Sequence, residues 1–253
     1  MKIQLIRNAC LILSLNDKNI LIDPMLAPKN SYPPIQNTSN TLLNPLVDLP
    51  LSSAELQIII SRTHAVLLTH LHNDHWDPAA RALLAKDVLV YCQPADLKTI
   101  CAQGFTNVFA IEKELIWEGI QIKRTGGQHG TAEIGKRLGP VSGYIICSGA
   151  DDVYIAGDTI WCEEVKRSLD LFKPKHIILN GGGARFVTGD PIVMDTKDII
   201  TVCNYAPYSR KYVIHMEVVN HSAESRQLTK QVIAANNFDD QCFVPEDGEV
   251  FIS

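Results

Sequence analysis

The stretch "LLTHLHNDHWDP", residues 67–78, places His70, His72, Asp74 and His75 within six positions, directly after an apolar run. Few folds can accommodate that. A strand "AVLLTH" would fix His70 at its end, and a short turn would curl His72, Asp74 and His75 toward one point. Asp77 then reads as an N-cap, with Pro78 at the first position of a helix "PAARALLAK". Neutral imidazoles and a carboxylate are donors that suit Zn²⁺, and also Mn²⁺ or Fe²⁺. One turn cannot complete a metal site, so distant segments must supply more donors. His129 in "RTGGQHGT", Asp158 in "YIAGDT", His215 in "YVIHME" and His221 in "VVNHSA" stand at other strand ends or turns. His64 and His176 instead begin strands, so they belong at the opposite edge of a sheet.

The elements along the chain say how such ends are gathered. Residues 2–25 read as short strands "KIQLIR", "CLILSL" and "ILIDPM". Residues 27–53 are rich in Pro, Asn and Ser and read as an irregular excursion. Strands "VLVYC" and "NVFAI" flank a helix "PADLKTICAQG". A strand pair follows around "ELIWEGIQIKRT", then strands "SGYIICS" and "VYIAGD". Helix "CEEVKRSLDLFK", strand "HIILNGGG", helix "TKDIITVCNY", strand "KYVIHM", helix "AESRQLTKQVIAAN" and strand "EVFIS" complete the order. Hairpins early and strand–helix alternation later imply two sheets with helices on their outer faces.

Composition narrows the function. With 253 residues and no linker, one domain spanning 1–253 is expected. A net charge of -5 gives no reason to expect long nucleic acid or an anionic membrane as a partner. No apolar run is long enough to span a bilayer. The seven cysteines are scattered and never spaced C-x-x-C, which argues against a disulfide framework or a zinc ribbon. These features read as a cytoplasmic protein acting on a small molecule; a homo-oligomer is compatible with them.

The motifs "THLHNDHWD", "GGQHG" and "AGDT", with a histidine ending a late strand, resemble the metallo-β-lactamase superfamily over nearly the whole chain. The opening "IRNACLILSLNDKNILIDPML" further resembles the branch related to L-ascorbate-6-phosphate lactonase. The resemblance implies an α+β fold, a four-layer αββα sandwich with a dinuclear metal site on one edge. Carried over, His70, His72 and His129 would hold one divalent ion, and Asp74, His75 and a last histidine the second, with Asp158 between them. His215, directly at the end of "KYVIH", fits the last position better than His221, which would then contact substrate. Asp23 resembles a position that packs beside the cluster and orients its ligands.

Two divalent ions, zinc foremost with manganese or iron as alternatives, can share a water and lower its pKa from about 15.7 toward roughly 7. Hydrolysis of an ester is therefore expected, foremost a lactone such as a sugar-phosphate lactone, with Asp74 also handling a proton. A phosphodiesterase acting on a small nucleotide or phosphodiester is the alternative, and a non-catalytic binding module a further one. Two features suggest an anionic substrate. Lys123, Arg124, Lys136 and Arg137 bracket His129, and the turn "NGGGARFVTGD" with Arg185 could cradle an anion.

Overall fold

Side chains along a strand point alternately to its two faces, and in this chain both faces of each sheet are covered. The computed structural model describes residues 1–253, the side chain of Ala132 excepted. The first half contains β1 (Lys2–Arg7), β2 (Cys10–Leu15), β3 (Lys18–Ile22), α1 (Ser53–Arg62), β4 (Ala65–Leu67), α2 (Pro78–Leu83), β5 (Leu89–Cys92), α3 (Leu97–Ala102) and β6 (Val108–Ala110). The second half contains β7 (Glu114–Trp117), β8 (Ile120–Gly126), α4 (Ala132–Leu138), β9 (Ser142–Ser148), β10 (Asp151–Ile155), α5 (Glu163–Phe172) and β11 (His176–Asn180). It ends with α6 (Thr196–Tyr205), β12 (Arg210–Ile214), α7 (Arg226–Ala235), β13 (Cys242–Phe243) and β14 (Val250–Ile252).

Two seven-stranded mixed sheets result, ordered β14-β1-β2-β3-β4-β5-β6 and β13-β12-β11-β10-β9-β8-β7. Ile20 and Ile22 of β3 meet Val153 and Ile155 of β10 and Tyr212 and Ile214 of β12 in the core between the sheets. The intervening residues go the other way. Leu21, Val66 and Val90 pack outward with Ala80 of α2 and Ile100 of α3. Tyr154, Ile177 and Val213 pack outward with Leu169 of α5 and Ile199 of α6. The architecture is the α+β, four-layer αββα sandwich expected from the sequence.

Strands β3 and β4 of one sheet, and β8, β10 and β12 of the other, release the chain where the site forms. The two sheets approach closely there. A Cβ on Gly157 would lie 2.7 Å from the Ser142 carbonyl oxygen and 3.3 Å from Thr69 Cβ, and its φ of +70° also favours glycine. Glycine thus lets Asp158 come up against the β4 end.

Four elements depart from the sequence reading, one of them the two-residue strand β13, which was not anticipated. Helix α1 was not anticipated, although Ser52 and Glu55 form a capping box that the sequence spells as "SSAE". Helix α4 contains Gly135, which hides it from propensity. Helix α7 begins at Arg226, later than expected, because the Ser225 side chain accepts from Leu228 N–H as its cap.

The excursion expected at 27–53 carries no regular element before α1 opens at Ser53, beyond a bridge between Tyr32 and Asn44. It is nevertheless firmly held. Buried Asn220 Oδ1 accepts from Ile35 N–H and from Asn44 Nδ2, both at 2.9 Å, and Asn220 Nδ2 donates to Thr38 Oγ1 at 2.7 Å. Arg7, fully buried, donates to the carbonyls of Val47, Met25 and Ala27 and so ties the two ends together.

Candidate metal centre

Strand β4 ends at Leu67, and the next residues turn into the cluster. Asp23, just past β3, anchors them: Oδ1 accepts from Thr69 N–H at 2.8 Å, and Oδ2 accepts from Thr69 Oγ1 at 2.6 Å and from His75 Nδ1 at 2.8 Å. Thr69 Oγ1, its proton committed to Asp23, accepts from His70 Nδ1 at 3.1 Å. The network therefore sets the tautomers of His70 and His75 and leaves both Nε2 atoms bare, buried and without a partner. His129 Nδ1 donates to the Ile192 carbonyl at 2.8 Å, and His72 Nε2 to the Leu138 carbonyl at 3.1 Å.

Two groups of donor atoms emerge, each with its atoms within 4.8 Å of one another: His70, His72 and His129, and Asp74, His75, Asp158 and His215. Asp158 Oδ2 lies 3.2 Å from His75 Nε2, 3.7 Å from His129 Nε2 and 3.9 Å from His70 Nε2, so it faces both groups. Asn180 Nδ2 donates to its other oxygen at 2.7 Å and fixes it. His215 Nε2 lies 3.1 Å from Asp74 Oδ2.

The donor set fits cations. His129 Nε2 and His72 Nδ1 stand 3.3 Å apart, and each ring has already committed its proton to a carbonyl. Two lone pairs so placed repel unless a positive charge lies between them. With the orphaned Nε2 atoms of His70 and His75, that matches a site built around metal ions.

Electrostatics agree. Burial would raise the Asp158 and Asp74 carboxyls, but His215 and His75 outweigh it and hold both well below the usual carboxylate range. Burial would lower His75, but Asp158, Asp74 and Asp23 raise it well above an ordinary histidine. Burial, with His75 and His72 adding to it, holds His70 far down. Without a cation, a proton on His75 offsets the surrounding carboxylates.

Over the cluster lies a cavity of about 300 Å³. Tyr32, Pro33 and Ile35 of the excursion form one wall; Leu138, Phe186 and Ile192 form another. Asp74, His72 and His129 make the floor, and among the described residues no lysine or arginine lines it.

Of the residues expected from the sequence, His70, His72, Asp74, His75, His129, Asp158 and His215 converge, and Asp23 packs against them. His221 lines the cavity outside the two donor groups; burial lowers it to about 4, and its Nδ1 has no partner. Arg185 is not brought to the site. Its Nε turns back to the Gly183 carbonyl, and the N–H groups of Gly181, Gly183 and Arg185 all donate to backbone carbonyls, so these three are not free to form the expected anion cradle. Arg124 is likewise spent on the carbonyls of Ile111 and Glu112, and Lys136 pairs with Glu133. His64 accepts from Asn19 N–H, and His176 meets Tyr212 Oη at 3.3 Å, both away from the cluster.

Sequence reasoning missed Asn8 and Asn180. Asn8, at φ 60°, donates through Nδ2 to the Asp74 carbonyl at 3.0 Å and accepts the His215 N–H at 2.9 Å. The polar pair Arg7–Asn8 interrupting an apolar run was the available signal.

A model of the Beta-lactamase superfamily domain matches residues 18–216. The chain belongs to the beta-lactamase superfamily. Within it, this superfamily member is 36% identical to UPF0173 protein YddR of Bacillus subtilis (strain 168), over 99% of both chains, which places it in the UPF0173 family. The crystal structure of a possible metal-dependent hydrolase from Veillonella parvula DSM 2008 matches with TM-score 0.95 at 37% identity, covering 100% of this chain and 99% of the other. An isothiocyanate hydrolase from Delia radicum gut bacteria matches with TM-score 0.94 at 35% identity, again over 100% and 99%.

Proposed function

We propose that the chain hydrolyses small, neutral, apolar electrophiles at a dinuclear metal site, with organic isothiocyanates as the first substrate class. The observation that carries this reading is the cavity: apolar walls without a cation, closing over seven converging histidines and aspartates. The full-length similarity to an isothiocyanate hydrolase supports the same class. An anionic group, such as the phosphate of a sugar-phosphate lactone, would meet no arginine or lysine in the inner cavity and would lose its hydration without a side-chain counter-charge. A neutral lactone is the second reading, favoured by the lactonase-like N-terminal stretch that brings Asp23 against His75.

In this reading His70, His72 and His129 would hold one ion, and Asp74, His75 and His215 the other, with Asp158 facing both donor groups. When bound, two such ions lower the pKa of a shared water and polarise the electrophile; borderline ions such as zinc, manganese or iron suit these donors. Asp74 is ionised at neutral pH and opens onto the cavity, so its carboxylate accepts the proton of the attacking water. His221, neutral at that pH, offers a hydrogen bond to the substrate heteroatom. The apolar walls exclude further water. For an isothiocyanate, water adds across C=N and the thiocarbamic acid breaks its C–N bond, giving the amine and carbonyl sulfide: RNCS + H₂O → RNH₂ + COS.

The test is metal content by elemental mass spectrometry on untagged, chelator-free protein, followed by amine release from alkyl and aryl isothiocyanates and ring opening of neutral lactones. About two equivalents of metal with turnover of a neutral substrate is expected. No metal bound and none taken up on titration would overturn the catalytic reading. Turnover confined to phosphorylated lactones would overturn the substrate assignment.

A further inference from the structure

A second cavity of about 240 Å³ adjoins the first, lined by Asn37, Ile134, Arg137, Leu138, Phe186 and Thr188. Leu138 and Phe186 line both cavities, so these two side chains form the partition between them. The partition is apolar: Leu138, Phe186 and Ile134 pack on buried Ala184, Ile192 and Val193. Its frame is tied on both sides. The Val187 N–H donates to the Asn37 carbonyl at 2.7 Å, and the Leu138 carbonyl accepts from His72.

We propose that the natural substrate carries an extended apolar arm that passes between Leu138 and Phe186 and lies in the outer chamber. This rests on the reading that substrates enter the cavity over the metal cluster. The inner chamber alone is at the lower end of ligand-pocket volumes, roughly 300–1,000 Å³, whereas the two chambers together fall within that range. An electrophilic head needs only the floor of the inner chamber; the apolar walls beyond it continue into the outer one. The far end of the outer chamber changes character, because Asn37, Arg137 and Thr188 are polar and exposed. Apolar gain therefore stops there, which gives the arm a limited length, and Arg137 favours a hydrogen-bond acceptor at its tip.

The experiment measures binding of straight-chain alkanethiols, ethyl to decyl, to the metal-loaded protein by calorimetry, so no turnover is needed. Each methylene buried beyond butyl should tighten Kd by about fourfold, until a plateau at the polar rim. Thr188→Trp and Asn37→Trp, which fill the outer chamber from its polar rim, should each weaken octanethiol at least about tenfold more than ethanethiol. Either variant suffices if the other folds poorly, as judged by circular dichroism. A series that is flat beyond butyl, or variants that weaken short and long thiols equally, would overturn the proposal. Because the readout is thiol binding, inert isothiocyanates would sink the proposed reaction and leave this inference standing, and the converse also holds.

Discussion

Replacing Asp23 with asparagine keeps the shape of the side chain and changes only what its second oxygen can do. In the native chain Oδ2 accepts from both Thr69 Oγ1 and His75 Nδ1. An amide nitrogen at that position would face two donors. The Thr69 hydroxyl can rotate to accept, but His75 can relieve the clash only by moving its proton from Nδ1 to Nε2. That puts an N–H where a bare nitrogen faces Asp158 at 3.2 Å and removes His75 as a metal donor. Losing such an outer partner typically costs about 10–100-fold in metal affinity, on the order of 1.4–2.7 kcal/mol. The loss should concentrate on one ion, the one next to Asp74, His75 and His215. Chelator competition with elemental mass spectrometry reads this directly: Asp23→Asn should keep one equivalent under conditions that leave the native protein with two. Affinity for both ions within about twofold of the native protein would refute the tautomer argument.

Other perturbations follow from the same geometry. Asn8→Ala removes the donor to the Asp74 carbonyl and places alanine at φ 60°, so the fold should lose roughly 2–3 kcal/mol in denaturant titration, whereas Asn8→Gly should recover the backbone part. Asn220→Ala leaves the excursion without its buried partners and should raise KM more than it lowers kcat, because the cavity wall loosens while the floor is untouched. The proton on His75 makes a pH prediction. Its raised pKa stabilises the metal-free fold below about 6.5, and that contribution is lost as pH rises through the folded value. Metal-free protein should therefore lose stability on the alkaline side, and metal uptake at a pH below the folded value, where His75 still holds its proton, should release about one proton, seen by calorimetry in buffers of different ionisation enthalpy.

The sheets were legible because their strands are short apolar runs bounded by Gly, Asn and Asp, and the donor cluster because "HLHNDH" concentrates rare residue types in one turn. Helix α4 was not, since Gly135 breaks its propensity and the helix rests on tertiary packing of Ile134 and Leu138. Arg185 misled because a glycine run shows that backbone N–H groups exist, but not that Ile214, Met194 and His221 carbonyls already use them.

Local sequence alone determined most of the elements, the superfamily resemblance and the identity of the donors, since those depend on residue type and near spacing. The tertiary structure decided what depends on approach between distant segments. It joined His215, and not His221, to the carboxylate group. It turned the imidazoles of His129, His72 and His75 through partners as remote as Ile192, Leu138 and Asp23. It also drew the apolar wall of the cavity from an irregular excursion pinned by Asn220, some 180 residues away. Hydrogen-bond partners at that separation leave no periodicity in the chain; only the folded contact reveals them.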